Sequence, residues 1–180
     1  MIIFFKKAKD FFSLFLKQFL FIILIHTVFM QSSFAAREKN LPLPRFASLR
    51  SNNINVHVGP GKQYPIEWKY QRQFLPIEII AEFDTWRQIK DIDGCVSWIH
   101  MSLLSGKRHA IIVHDIQNLK AKPSDDSATV ARLEPSCIVA LKKIQGIWVF
   151  VESRSEKGKY SGWLKNNQIW GIYPYETSFK

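Results

Sequence analysis

The stretch INVHVGPGKQYPIEW, residues Ile54 to Trp68, starts as a strand and runs into a loop. Ile54, Val56 and Val58 alternate with Asn55 and His57, the period-two pattern of a half-buried strand. Gly59-Pro60-Gly61 then breaks it, and Tyr64, Pro65 and Trp68 follow. This could be a glycine loop for phosphate, the mouth of an active site, or the first long loop of a small β-barrel. A phosphate loop needs Lys-Ser/Thr behind its glycines and a helix whose N-terminus meets the phosphate. Here Lys62 is followed by Gln63, Tyr64 and Pro65, with no helix pattern behind them, so nucleotide binding is set aside.

The residues downstream favour the barrel. In Leu75 to Phe83, Ile77, Ile79 and Ala81 alternate with Glu78 and Glu82. Trp86 to Ile92 reads as another strand, Asp93-Gly94 as a hairpin turn, and Cys95 to Ile99 as the strand that pairs back. No amphipathic helix of three turns appears after residue 35.

The pattern then repeats. Asn55 to Pro60 has a counterpart in Asn118 to Pro123, and Leu75 to Phe83 in Cys137 to Lys143. Trp86-Arg87-Gln88-Ile89 matches Trp148-Val149-Phe150-Val151, Ser97-Trp98-Ile99 matches Gly162-Trp163-Leu164, and Leu103-Leu104 matches Gln168-Ile169. The offset is 63 residues at first, 62 at the first Trp pair and 65 at the second, and the change of three falls in the polar stretch Glu152 to Tyr160, a hairpin tip that can accept insertion. The chain is thus a tandem repeat of a unit near the size at which a small core stands alone.

In each copy the order is strand, long loop, strand, short loop, W-x-x-[IV], tight hairpin, small-W-[IVL], short turn, last strand. In this the chain resembles the bacterial SH3-like (SH3b) domain, twice over, across Leu49 to Pro174. The first copy, with NVHVGPGKQYP, AEFDTWRQI and GCVSWIHMSLLSGKR, is also similar to small exported alphaproteobacterial proteins built from such domains. The resemblance implies an all-β fold of two tandem five-stranded barrels. It also implies a non-catalytic module that holds proteins on cell-wall material or peptides. His57 and Lys120 stand where the family often has Arg, and Lys122 stands where the first copy has Gly59. The altered loop leaves the candidate groove with the first copy.

Side-chain direction locates that groove. Neighbours in a strand face opposite sides. Ile89 matches the core position Val151, so Trp86 points out of the barrel, where a large rigid ring suits a binding surface. Tyr64, Trp68 and Tyr70 are expected on the long loop beside it, with Arg72 and Arg87 adding positive charge. The structural alternative is that Trp86 packs on the other repeat or on its own loop. In that case the aromatic faces would serve to join the repeats. Trp98 and Trp163 read as half-buried barrel fillers.

The start of the chain reads as a targeting segment. Lys6, Lys7 and Lys9 precede an apolar run from Phe11 to Met30, and Ser33-Phe34-Ala35 offers small residues for cleavage. A signal peptide over residues 1–35 is expected, with an uncleaved anchor within residues 1–30, facing the periplasm, as the alternative. Either places the remainder in the periplasm or outside the cell. The expected organisation is a linker over 36–48, a first barrel over 49–108, a divergent second barrel over 109–175 and a tail over 176–180. Loss of residues 1–35 leaves 21 Lys+Arg against 14 Asp+Glu, a net charge of +7. That charge fits a solvated basic surface or an anionic partner, with a cell-wall peptide or an envelope protein preferred. Basic residues with exposed aromatics also suit nucleic acid, but the export signal argues against it.

Catalytic and metal motifs are missing from the sequence: it has no G-x-S-x-G, H-E-x-x-H or C-x-x-C. Asp91-x-Asp93-Gly94 lacks the later ligands of a calcium loop, and His109 and His114 read as surface histidines at the junction of the repeats. Cys95 and Cys137 fall in different repeats and read as separate thiols rather than a disulfide. The expectation is a chain with no enzyme activity, no cofactor and no metal.

Overall fold

The computed structural model describes residues 41–156 and 158–179. The targeting segment and the first part of the linker lie outside the described residues. The rest is all-β, with strands β1 (Arg45–Leu49), β2 (Ile54–His57), β3 (Ile66–Tyr70), β4 (Pro76–Phe83), β5 (Trp86–Lys90), β6 (Val96–His100) and β7 (Leu104–Ser105) in the first repeat. The second repeat holds β8 (His109–Ile112), β9 (Gln117–Lys120), β10 (Thr129–Leu133), β11 (Ile138–Gln145), β12 (Trp148–Ser155), β13 (Gly158–Lys165) and β14 (Ile169–Trp170). A single 3₁₀ turn precedes the last strand of each repeat, at Met101–Leu103 and Asn166–Gln168.

The two sheets have the same order. The first runs β3-β2-β6-β5-β4-β1-β7 and the second β10-β9-β13-β12-β11-β8-β14. Each wraps its own core. Ala47, Leu49, Ile54, Val56, Ile77, Ile79, Ile89, Ile99 and Leu104 fill the first. In the second, Ala110, Ile112, Leu119, Val139, Leu141, Val151, Leu164 and Ile169 hold matching places, and Val149 joins them where the first repeat has the buried Arg87. These are mostly β-branched residues and leucine at alternate strand positions, which suits a pleated surface with one side in the core.

Each sheet therefore has seven strands where five were expected, and in the first repeat the additions are β1 and β3. The sequence reading placed residues 45–48 in a linker, yet Arg45 to Ser48 pair in register with β4, and Ser48 and Leu49 with β7. The physical reason is that both faces of β1 are covered. Ala47 and Leu49 enter the core, while Phe46 and Ser48 face the second repeat, so the strand shows no polar–apolar alternation. β3 was read as part of the long loop, and it instead pairs with β2 as the edge strand of the sheet.

The repeats meet through aromatic packing around β1 and β8. The Phe46 ring lies 5.0 Å from Trp170 and 4.7 Å from Tyr173, with the Arg108 guanidinium 5.7 Å from its centroid. Arg108 also pairs with Glu176 at 3.0 Å. The Tyr173 hydroxyl donates to Glu78 Oε1 at 2.7 Å, and burial together with that bond pushes its pKa well up. His109 is not the surface residue its sequence suggested. It is 8% exposed, stacks on Phe74 at 4.7 Å, and its Nδ1 lies 3.0 Å from Ser48 Oγ. Burial pushes its pKa down. The Lys107 carbonyl opposes that shift, and the charges of Lys142 and Lys107 reinforce it.

Candidate functional site

On β5, Ile89 enters the core and Arg87 is buried on the same side, whereas Trp86 lies outside the core cluster on the opposite face. Trp86 is nonetheless only 8% exposed, because two histidines cover it. The His57 ring meets it nearly perpendicularly at 5.2 Å, and the His100 ring at 5.7 Å. The pairing explains why. His100 is directly opposite Trp86 across the β5–β6 ladder, and His57 is opposite Trp98 on the next strand. Of the two alternatives for Trp86, the ring packs within its own barrel.

Both imidazoles are oriented by hydrogen bonds. His57 Nδ1 lies 2.8 Å from the Tyr64 carbonyl oxygen, which can only accept, so Nδ1 carries the proton. His100 Nδ1 accepts from the Ser102 backbone N–H at 3.3 Å, with Ser102 Oγ at 2.7 Å. In the neutral ring this leaves Nε2–H of His100 as the donor that Ser102 does not use.

The Tyr64 side chain is 40% exposed and lies across Gly59. A Cβ at Gly59 would stand 2.5 Å from the tyrosine ring, so glycine is required for the ring to lie there. His57, Trp86 and His100 thus pack together on the outer side of the first barrel, and His57 ties them to the β2–β3 loop that carries Tyr64.

The other candidates lie elsewhere. Trp68 and Tyr70 are on β3, 6.1 Å apart, and pack against the core from the sheet edge. The Tyr70 hydroxyl donates to Asp91 Oδ2 at 2.8 Å, and burial pushes its pKa well up, with that bond adding to the shift. Asp91 Oδ1 also accepts from the Asp93 and Cys95 backbone N–H groups, so this carboxylate builds the hairpin turn. Arg72 reaches the second repeat, where its Nη2 donates to the Ser136 carbonyl at 2.7 Å. Arg87 is buried, pairs with Glu82 at 3.0 Å and donates to the Asp84 carbonyl at 2.7 Å. The structure therefore links the Tyr64 backbone to Trp86 through His57, sends Trp68 and Tyr70 to the sheet edge, and uses Arg72 and Arg87 to brace the fold.

His57 and His100 were missed as members of this surface, though the signal was present. His100 is two residues after Trp98, on the same face of a strand that pairs back on Trp86.

The second barrel repeats the arrangement with different chemistry. Trp148 stands opposite Lys165, and Lys120 opposite Trp163, so both histidines of the first barrel are replaced by lysine. Lys165 Nζ lies 5.4 Å from the Trp148 ring centroid, a cation–π contact. Lys120 Nζ donates to the Ser127 carbonyl at 3.0 Å, seven residues on, just as His57 binds the carbonyl of Tyr64 seven residues on. Lys165 Nζ is also held by the Asp125 carboxylate, at 2.6 and 2.8 Å.

Among the described residues, no group of three or more His, Cys, Asp or Glu side chains could hold a metal ion. Cys95 is exposed and Cys137 half-buried, both as free thiols. The Asp91 carboxylate pushes the Cys95 thiol up, away from the thiolate a nucleophile needs. No helix among the described residues is long and apolar enough to cross a membrane.

Comparison with known proteins agrees with this double architecture. Residues 50–106 and 113–171 each match the bacterial SH3 domain, together more than half of the chain, and the protein belongs to that family. Domains of this class are generally binding modules. No curated protein matches the chain. Among solved structures it is similar to NlpC2 from Trichomonas vaginalis, at 11% identity and a TM-score of 0.34, covering 77% of this chain and 52% of that one. It is also similar to NlpC1 from the same organism, at 12% identity and a TM-score of 0.31, covering 73% and 47%. The chain thus spans about half the length of these two proteins.

Proposed function

We propose that this protein is an exported, non-catalytic binding module that acts in the periplasm. In this reading it holds a peptide of the cell wall on the outer surface of its first barrel. The observation that carries the reading is the Tyr64–His57–Trp86–His100 surface. It combines a partly exposed aromatic ring, two half-buried imidazoles with oriented edges, and a tryptophan that stiffens them from below. Rigid aromatic area with a few fixed polar groups is what peptide recognition requires, because little side-chain freedom is lost on binding. The aromatic residues that join the repeats are a different set: Phe46, Phe74, Trp170 and Tyr173. Sealing the repeats together therefore does not use up this surface.

Retention of the purified chain on insoluble peptidoglycan tests the proposal, at ~0.15 M salt where the Debye length is ~8 Å. The native chain is expected to be retained. Tyr64→Ala is expected to lose most of that retention, while Tyr175→Ala, which alters a more exposed tyrosine outside the surface, keeps it. A folded native chain that washes through would move the proposal to an envelope-protein partner. Capture of DNA or RNA with a steep loss of affinity in salt would replace both with nucleic-acid binding.

A further inference from the structure

The two barrels offer an internal comparison that bears on the ligand. In the first, the loop from β2 to β3 covers residues 58–65, and in the second the loop from β9 to β10 covers residues 121–128, the same length. His57 and Lys120 end matching strands, and each binds the carbonyl of the loop residue seven positions on. The loops are therefore in register, and Asp125, five residues after Lys120, corresponds to Lys62, five residues after His57. In the second barrel the loop places the Asp125 carboxylate on Lys165, the cation that rests on Trp148. In the first barrel the matching ring, His100, rests on Trp86, and the loop position carries an exposed lysine instead of a carboxylate.

We infer that the second barrel is occupied by its own loop, and that the first barrel takes from outside what Asp125 supplies within the second, namely the carboxylate of a peptide ligand. This rests on the binding surface proposed above and specifies its ligand. The donor is Nε2–H of His100, fixed in that tautomer by the Ser102 backbone N–H on Nδ1. A charge-assisted hydrogen bond to a carboxylate is roughly twice as strong as a neutral one. Lys62 supplies the compensating positive charge from the loop, and the Tyr64 ring offers apolar contact to the rest of the peptide. The histidine in the first barrel is a weaker anion partner than a lysine would be.

The test is an NMR titration of the full chain with N-acetyl-aspartate methylamide and with its asparagine counterpart, reading the indole N–H signals of Trp86 and Trp148. The aspartate compound is expected to shift Trp86 saturably, with at least tenfold weaker binding of the asparagine compound and no response at Trp148. Lys62→Asp, at an exposed loop position, installs the carboxylate found in the second barrel, and it is expected to abolish the Trp86 response. Asp125→Asn removes the internal occupant and is expected to make Trp148 respond. Equal response to both compounds, or a Trp86 response that survives Lys62→Asp, overturns the inference.

The source of the carboxylate is read by retention on peptidoglycan whose carboxylates have been converted to amides. Loss of retention assigns it to the wall peptide, whereas undiminished retention overturns that source. Retention on untreated wall with no aspartate response would sink the carboxylate and leave the binding surface standing, so the two readings fail separately.

Discussion

The two barrels share an order of strands, a core and a tryptophan at one outer position, but they treat that position differently. In the first, Trp86 is flanked by two histidines under a loop that carries Gly59 and Tyr64. In the second, Trp148 lies beside Lys165, and the loop carries Lys122, Ser127 and the Asp125 carboxylate that neutralises it. The difference teaches that the tryptophan belongs to the architecture and that its neighbours decide availability. An ammonium satisfied by its own loop needs no ligand, whereas an oriented imidazole edge with no anion paired to it among the described residues can accept one.

The comparison can be broken by mutation. The largest effect is expected at the seam between the barrels. Phe46→Ala removes a buried ring that touches Trp170, Tyr173 and Arg108, and should cost about 3 kcal/mol in urea unfolding. If the barrels support each other as this packing implies, the transition should also separate into two steps. A single unchanged transition would show that they do not.

A second effect distinguishes the barrels at matched positions. Gly162 has no room for a side chain, since a Cβ there would stand 2.6 Å from the Lys120 carbonyl oxygen. Gly162→Val should therefore destabilise by about 2 kcal/mol through overpacking. Its counterpart in the first barrel, Ser97, is buried with an Oγ that has no hydrogen-bond partner. Ser97→Ala should change stability by less than about 0.5 kcal/mol or raise it slightly, the smallest effect expected here.

Between these lies a pH effect at the seam. Burial lowers the His109 pKa below its unfolded value, so the unfolded chain binds the proton more readily. Its contribution is fully present above the ordinary histidine pKa near 6.5 and declines as pH falls below that value toward the folded pKa. The urea midpoint should fall between pH 7.5 and pH 5, and His109→Gln should flatten that slope. An identical slope in the variant would assign it to other groups.

Much of this architecture was legible in the sequence, for identifiable reasons. The repeat showed because W-x-x-[IV] and small-W-[IVL] recur at nearly constant spacing, and the chain contains a second copy of each core strand. β1 was hidden because Phe46 and Ser48 face a partner barrel, which erases alternation on that strand. β3 was legible and overlooked: Trp68 and Tyr70 alternate with the exposed Glu67 and Lys69. The outward direction of Trp86 followed from strand period alone. Its cover did not, because His57 and His100 reach it from two other strands whose register the sequence does not state. Arg72 and Arg87 looked like ligand contacts because the sequence gives charge without partners, and their partners are a carbonyl across the seam and a carboxylate on the neighbouring strand.

The most direct test of the account is to add solubilised peptidoglycan fragments to the labelled native chain and follow the Trp86 and Trp148 indole signals together. The account predicts a saturable shift at Trp86, with companion shifts at Tyr64 and His100, while Trp148 stays still. Equal shifts at both tryptophans, or a shift at Trp148 alone, would contradict the claim that the first barrel carries the binding surface.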